Sequence, residues 1–252
     1  LFFLLYNFYL IFTKLNPYFV ESDLVNEITY RQQCYRQKSL LPDDFIHSSE
    51  LFATRPVLLY CFFYGFTNNF LLSYQLETMT MLVVQLLAIA SLCKCMKMGN
   101  NSIIIVMNVF LIWMPESIKK VLWLESDAYA LFAICVILTF ALRIIWQKGK
   151  YNKFSVIGCI FLAALMGFLT LKMSMVLYIP LLIADLIILA GKYKNKRRIE
   201  KQNIQLLVLS VIQLVVNLLF YKICLHLFSD KFFPVSMQIA DIETMFSWSN
   251  IK

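Results

Sequence analysis

Apolar and polar residues alternate along this chain in long blocks, which is the pattern of helices that cross a lipid bilayer. Several of the apolar blocks reach the roughly 18 residues that cross a ~30 Å hydrocarbon core. The pattern predicts an all-α, polytopic transmembrane helical bundle of about seven membrane-spanning helices. The predicted crossings are residues 1–13, 76–93, 102–115, 128–147, 154–171, 173–191 and 204–227.

The longest polar block, residues 14–55, follows the first apolar run and is predicted to be the first extracytoplasmic loop. Its stretch 22–38 is predicted to form a juxtamembrane helix, because Ser22 is a favourable N-cap and apolar residues recur near one face. Pro42 ends this helical pattern, since proline lacks the backbone donor and restricts the residue before it.

An uncharged aromatic run, residues 56–75, separates this loop from the next crossing. The run is long enough to span, but a crossing here would place the later basic loops outside the cell. Phe and Tyr are also frequent where helices meet lipid headgroups. We therefore predict an outer interfacial or re-entrant helix at residues 56–75.

The composition indicates a membrane protein whose basic loops face the cytoplasm. The chain is 60% apolar and 15% charged, with a mean hydropathy of +0.70, whereas soluble domains carry about 25% charged residues. The net charge of +8 does not indicate nucleic acid, because the positive residues cluster between apolar runs. This positive-inside distribution predicts a multi-pass protein of the plasma membrane, with the lipid bilayer as its partner. The clusters are Lys94 with Lys97, Arg143, residues 148–153 and residues 192–201.

Most of the fifteen acidic residues fall at or beyond the opposite, outer surface. Asp185 lies deep inside a predicted crossing, where a carboxylate needs a partner or water, and the sequence does not name one. Leu1 begins inside an apolar run, which favours a fragment whose residues 228–252 start a further extracytoplasmic segment. The abundance of Phe, Ile, Lys, Asn and Tyr favours an AT-rich bacterial genome.

Asp23 and Glu27 are four residues apart, which places two carboxylates on one face of the predicted loop helix. Such a pair could hold a divalent cation, or one carboxylate could act as a general base on a hydroxyl group. The alternative is an ordinary solvated ion pair between Glu27 and Arg31, one turn further along. Spacing alone favours this alternative, because exposed pairs are common and weak.

Four further positions on the outer side carry groups suited to binding. Asp127 opens the run 128–147, where it contributes a second carboxylate or simply caps its helix. Lys172 lies in a tight turn, where it binds a phosphate group or extends to lipid headgroups. His47 and Glu50 end the first loop, where they contact a substrate or hold the loop by a hydrogen bond.

The predicted topology brings Asp23, Glu27, Asp127 and Lys172 to one membrane surface. Carboxylates beside a cation at a lipid surface suit a reaction on an anionic, membrane-anchored donor. The sequence contains no phosphate-binding glycine loop and no paired CxxC motif, so soluble nucleotide chemistry and a cysteine metal site are not indicated.

The order of four motifs resembles the GT-C superfamily of integral-membrane glycosyltransferases, in the branch of protein mannosyltransferases and lipid A aminoarabinose transferases. An acidic loop motif followed by a helix and a proline is matched by ESDLVNEITYRQQCYRQKSLLP. A proline-initiated aromatic run is matched by RPVLLYCFFYGF, and a second acid opening a helix by SDAYALF. A lysine-bearing turn before an apolar run is matched by LTLKMSMVLYIPLL.

The resemblance implies a single GT-C-like transmembrane domain over residues 1–252. It implies that Asp23 is the catalytic base, that Asp127 is the second catalytic acid and that Lys172 lies near the donor phosphate. In the family the second loop acid directly follows the first, whereas Leu24 stands there in this chain. Glu27 would substitute for it, and Asp23 with Glu27 would hold any divalent cation.

The function implied is transfer of a sugar from a polyprenyl-phosphate-linked donor to a cell-envelope acceptor on the extracytoplasmic face. The family's C-terminal part is not in this sequence, so activity of the fragment alone is not expected. The alternative is a non-catalytic polytopic protein, such as a transporter or flippase of envelope precursors. A transporter places charged or polar groups near the bilayer midplane, and in the sequence Asp185 and Asn108 are the candidates.

Overall fold

The computed structural model describes residues 2–14, 22–43, 57–113, 127–147, 153–194 and 201–229. Within these ranges the regular elements are helices and no strand occurs, which confirms the all-α class. A π-helical stretch, Ser174–Tyr178, leads directly into the eighth helix. The helices are α1 (Phe2–Lys14), α2 (Ser22–Gln37), α3 (Val57–Thr67), α4 (Phe70–Cys95), α5 (Asn100–Trp113), α6 (Asp127–Gln147), α7 (Lys153–Leu169), α8 (Ile179–Lys194) and α9 (Lys201–Leu227).

Four helical segments of the described chain are long and apolar enough to cross a bilayer: Phe70–Cys95, Ala130–Gln147, Ser174–Lys194 and Lys201–Leu227. The remaining apolar helices, α1, α3, α5 and α7, are shorter than 18 residues. At about 1.5 Å of rise per residue, a helix shorter than 18 residues does not cover a ~30 Å core unless it is extended or the bilayer thins. The described residues therefore form a helical membrane protein with four candidate spans, and the predicted count of about seven stays a prediction.

The predicted loop helix is confirmed as α2, whereas the predicted aromatic helix ends earlier than expected. Asn68 takes a left-handed backbone conformation with φ of 48°. The Asn69 side chain accepts a 3.0 Å hydrogen bond from the backbone N–H of Leu72 and so caps α4. Residues 70–75 consequently belong to α4, and α3 is a separate helix that Gly65 does not interrupt.

Helices α7 and α9 run parallel and are joined by side-chain to backbone hydrogen bonds. Gln213 Nε2 donates to the carbonyl oxygen of Cys159 at 3.4 Å, and Asn217 Nδ2 donates to that of Ala163 at 3.0 Å. A Cβ atom built on Gly167 would lie 2.5 Å from the backbone oxygen of Asn217. Small residues on α7 thus let the two backbones approach closely, as is common between membrane helices.

Side-chain contacts also show the directions in which α8 and α4 run relative to their neighbouring helices. Helix α8 runs antiparallel to α9, because the Ser174 hydroxyl contacts Asn217 while Asp185 contacts Ser210. Helix α4 runs parallel to α6: α4 residues 81–88 cluster with Ala130 and Ile134, and α4 residues 89–93 cluster with Ile137.

These directions sort the helix termini into two ends of the bundle. At the basic end α4, α6 and α8 terminate while α7 and α9 begin, and it carries Lys94, Lys153, Lys192, Lys194 and Lys201. At the opposite end, called here the loop end, α4 and α6 begin and α7 turns into α8. The helix termini that flank the predicted basic loops therefore lie at one end of the bundle, as the topology derived from the charge pattern predicts.

Candidate functional site

The loop helix α2 is attached to the membrane bundle by a fully buried ion pair. Arg31 Nε donates to Glu77 Oε2 of α4 at 3.1 Å, and both side chains are 0% exposed. The Arg31 guanidinium carbon also lies 5.0 Å from the ring centre of Tyr74 and 6.0 Å from that of Tyr60. A cation enclosed by a carboxylate and two aromatic faces is held far more firmly than a surface pair.

This geometry corrects the interpretation of Arg31 as one half of a solvated pair with Glu27. Arg31 faces the bundle, and its partner Glu77 is 46 residues away in the sequence. Glu77 in turn lies in the second turn of α4 and is fully buried. Helix α2 is consequently a fixed part of the bundle, packed on α3 through Tyr30, Cys34 and Val57.

The surroundings of α2 also make its cysteine unreactive. Cys34 is buried, with 3% of its side chain exposed. Loss of water raises the pKa of the Cys34 thiol to about 11, despite the lowering effect of its hydrogen bond with Tyr30. This thiol therefore packs as a small apolar group.

The side chains of the predicted catalytic pair lie outside the part that the structure describes. For Asp23, Glu27 and Asp127 the structure gives the helical backbone, which places the first two in α2 and the third at the start of α6. His47 and Glu50 lie wholly outside the described residues. The roles of all five residues therefore stay predictions.

Lys172 lies at the turn between α7 and α8, as predicted, and its side chain is exposed. Its backbone N–H donates to Thr170 Oγ1 at 3.1 Å, which closes the turn. The next residue, Met173, is fully buried in a cluster that includes Cys135, with Leu131 of α6 packed against it. The Lys172 turn therefore lies at the loop end, beside the first turns of α6.

The elements that carry the predicted residues thus meet at the loop end of the bundle. Helix α2 is joined to α4 at Glu77, and the start of α6 packs on α4 one turn further along, where Ala130 clusters with Met81.

A cavity between α2 and α3 combines cations with apolar walls. Its volume is about 460 Å³, and it is lined by Arg36 and Lys38 together with Tyr35, Leu40, Leu58 and Cys61, among others. Arg36 is 13 residues along α2 from Asp23, which corresponds to about 20 Å. A phosphate group held at Arg36 would therefore be out of reach of a base at Asp23.

The strongest polar feature in the membrane-spanning part was not identified from the sequence. Arg143 of α6 donates from Nη2 to Asp185 Oδ2 of α8 at 2.6 Å, with 5% and 8% of the two side chains exposed. From Nη1 it donates to Ser210 Oγ at 2.8 Å and to Gln213 Oε1 at 3.1 Å. Ser210 Oγ donates to Asp185 Oδ2 at 2.5 Å, which closes the network.

Arg143 supplies the partner that the sequence did not name for Asp185. The charge pattern assigned Arg143 to the basic loops, but it is 4% exposed and points into the bundle between α8 and α9. One signal was available in the sequence: Ser210, Gln213 and Asn217 recur at helical spacing within an apolar run. Polar residues on one face of a membrane helix indicate an interhelical contact.

The described residues contain no group of three or more His, Cys, Asp or Glu side chains placed to hold a metal ion. The described residues hold charged side chains in two buried places. The Arg31–Glu77 pair lies at the loop end, and the Arg143–Asp185 network lies nearer the basic end. Comparison with protein-family models, with curated proteins and with solved structures finds no match to this chain.

Proposed function

We propose that this chain is the membrane domain of a glycosyltransferase. It transfers a sugar from a polyprenyl-phosphate donor to a cell-envelope acceptor at the loop end of the bundle. Asp23 acts as the base on the acceptor hydroxyl, Asp127 and Glu27 position the substrate or a divalent cation, and Lys172 binds the donor phosphate. The observation that carries the proposal is the meeting of α2, the start of α6 and the Lys172 turn at the loop end.

The buried Arg31–Glu77 pair supports this proposal because a catalytic loop must be positioned before it reacts. A helix attached through a fully enclosed ion pair holds its backbone at a fixed depth relative to α4. The carboxylates of Glu27 and Asp23, one and two turns earlier on α2, are then presented at a membrane surface, where a lipid-linked donor resides. Preorganised positioning of this kind is a large part of catalysis.

The proposal includes the topology in the plasma membrane. We infer that α1, α5 and α7 cross with the four longer segments, which makes seven crossings, and that α3 lies at the outer interface. Helix α7 supports this inference because it packs along α9, which is long enough to span the bilayer, and runs parallel to it. The basic end faces the cytoplasm by the positive-inside rule.

The test is donor turnover by the full-length protein that contains this chain, purified into lipid nanodiscs. The probes are polyprenyl-phosphate mannose and polyprenyl-phosphate aminoarabinose, and the readout is release of polyprenyl phosphate. Asp23→Asn is expected to reduce turnover by about a hundredfold or more, the usual contribution of a general base. Asp43→Asn removes an exposed carboxylate of the same loop and is expected to retain activity. Wild-type turnover by Asp23→Asn would contradict the proposed role.

A second candidate function, a transporter or flippase of envelope precursors, is favoured by the Arg143–Asp185 network. Ionisable side chains within membrane segments commonly mark substrate or ion pathways. Flux of a fluorescent polyprenyl-linked precursor across proteoliposomes distinguishes the two functions. A transporter loses flux on Asp185→Asn and keeps it on Asp23→Asn, whereas the glycosyltransferase requires Asp23 for turnover.

A further inference from the structure

A cavity at the basic end of the bundle adjoins the buried network. Its volume is about 270 Å³, which is far more than one water needs and slightly below the ~300 Å³ at which small-molecule pockets usually begin. It lies between the end of α8 and the start of α9, next to the end of α6. Its described lining is Gln147, Asp185, Ile188, Gln202, Asn203 and Leu206.

The lining presents hydrogen-bonding groups that the described residues leave unused. Both contacts of the Asp185 carboxylate go to Oδ2, so Oδ1 accepts no hydrogen bond from the described chain. Asn203 Nδ2 is buried without a hydrogen-bond partner there, and because Asn203 lines the cavity, a rotation of its side-chain amide presents this donor to a ligand. Gln202 donates through Nε2 to the carbonyl oxygens of Trp146 and Gln147, and this fixes its amide at the cavity wall.

A buried polar atom without a partner is costly, so a cavity that keeps one is suited to a ligand that supplies the partner. Asp185 needs a donor and Asn203 needs an acceptor. A hydroxyl group does both, because its hydrogen donates while its oxygen accepts. The side-chain amide of Gln202 is a third hydrogen-bonding group, and it is held in a fixed position at the cavity wall.

The charge of the site selects a neutral ligand. Arg143 already neutralises Asp185 at 2.6 Å, so an ammonium group would leave two cations sharing one buried carboxylate. An anion would instead face the Asp185 oxygen. Burial of an uncompensated charge is strongly unfavourable in either case.

We propose that this cavity, entered from the basic end, binds a neutral polyhydroxyl group. The group is either a free polyol or the headgroup of a neutral glycolipid in the adjacent leaflet. Its hydroxyls donate to Asp185 and accept from Asn203. Ile188, half of whose side chain is exposed, forms an apolar wall beside which the chains of a lipid can lie. The site is at the opposite end of the bundle from Asp23 and does not depend on glycosyl transfer.

The experiment uses the full chain in phosphatidylcholine nanodiscs, with two neutral probes. Radiolabelled methyl glucoside tests the free polyol by equilibrium binding, and glucosyl diacylglycerol tests the headgroup by native mass spectrometry. Saturable binding of either probe is expected, and which probe binds identifies the source. Ethanolamine, which is a cation, and glycerol phosphate, which is an anion, are expected to bind at least about tenfold more weakly.

Two variants locate the binding. Asn203→Leu removes the unused donor, and Ile188→Trp fills the cavity from its apolar wall, so each is expected to weaken binding by about tenfold or more. Asn108→Leu, a half-buried asparagine of α5 whose amide is bonded to Ile104, is the matched control and retains binding. The proposal is overturned if neither probe binds the wild type, if ethanolamine binds more tightly, or if every folded cavity variant binds like the wild type.

Discussion

Replacing the Arg143–Asp185 pair tests whether the buried network holds the bundle together as a unit. The perturbations are Arg143→Met, Asp185→Leu and the double variant, which substitute apolar side chains of similar size. Because only 5% and 8% of the two side chains are exposed, the interaction is little weakened by solvent. Each single variant leaves one charge buried without its counter-ion.

The magnitudes follow from what remains in each variant. Removing one member of a buried pair costs about 3–5 kcal/mol of unfolding free energy. The double variant contains neither charge, and its cost is the loss of partners for Ser210 and Gln213, about 1 kcal/mol each. Independent effects would sum to about 6–10 kcal/mol. The expected cost of about 2 kcal/mol for the double variant therefore implies a coupling energy between Arg143 and Asp185 of at least about 4 kcal/mol.

The assay is equilibrium unfolding in bicelles, followed by helical circular dichroism, for the wild type and the three variants. Arg36→Met serves as the control, because Arg36 is an exposed arginine on α2, and it is expected to leave the unfolding free energy within about 0.5 kcal/mol. If the double variant is as unstable as the sum of the single variants, Arg143 and Asp185 do not stabilise the bundle as a pair and the reasoning fails.

Three further predictions concern helix packing, the loop helix and the buried thiol. Gly167→Ala is expected to destabilise the bundle by about 1–3 kcal/mol, because its new Cβ meets the backbone of α9 at 2.5 Å; Gly191→Ala, with open space around it, should be neutral or stabilising in the same unfolding assay. Glu77→Gln is expected to loosen α2 by weakening its bond to Arg31, seen as faster proteolysis within α2; unchanged cleavage would contradict this attachment. Cys34 should react with iodoacetamide only as pH approaches about 11. Because folding raises the pKa of this thiol, the stability that its burial contributes is fully present below the unfolded thiol's pKa of about 8.5 and is lost as the pH rises towards 11. Rapid alkylation at pH 8 in the folded protein would refute this prediction.

Local features of the sequence were sufficient to predict most helix positions. Partition into lipid is a property of each apolar block, and caps and breakers act within a few residues, so α2 and the segments from α4 to α9 lie within a few residues of their predicted bounds. The parallel and antiparallel order of α6 to α9 also agrees with the topology derived from basic clusters. The aromatic run was predicted as one helix because the capping role of Asn69 was not used.

The sequence by itself determined the class of the protein and which helix termini lie together at the basic end of the bundle. The partners of its buried charges were decided only by the tertiary structure. Arg31 and Glu77 are 46 positions apart, and Arg143 and Asp185 are 42 apart. Which side chains meet over such separations depends on which helices are neighbours and how each is rotated about its axis, and neither quantity is encoded in a local pattern.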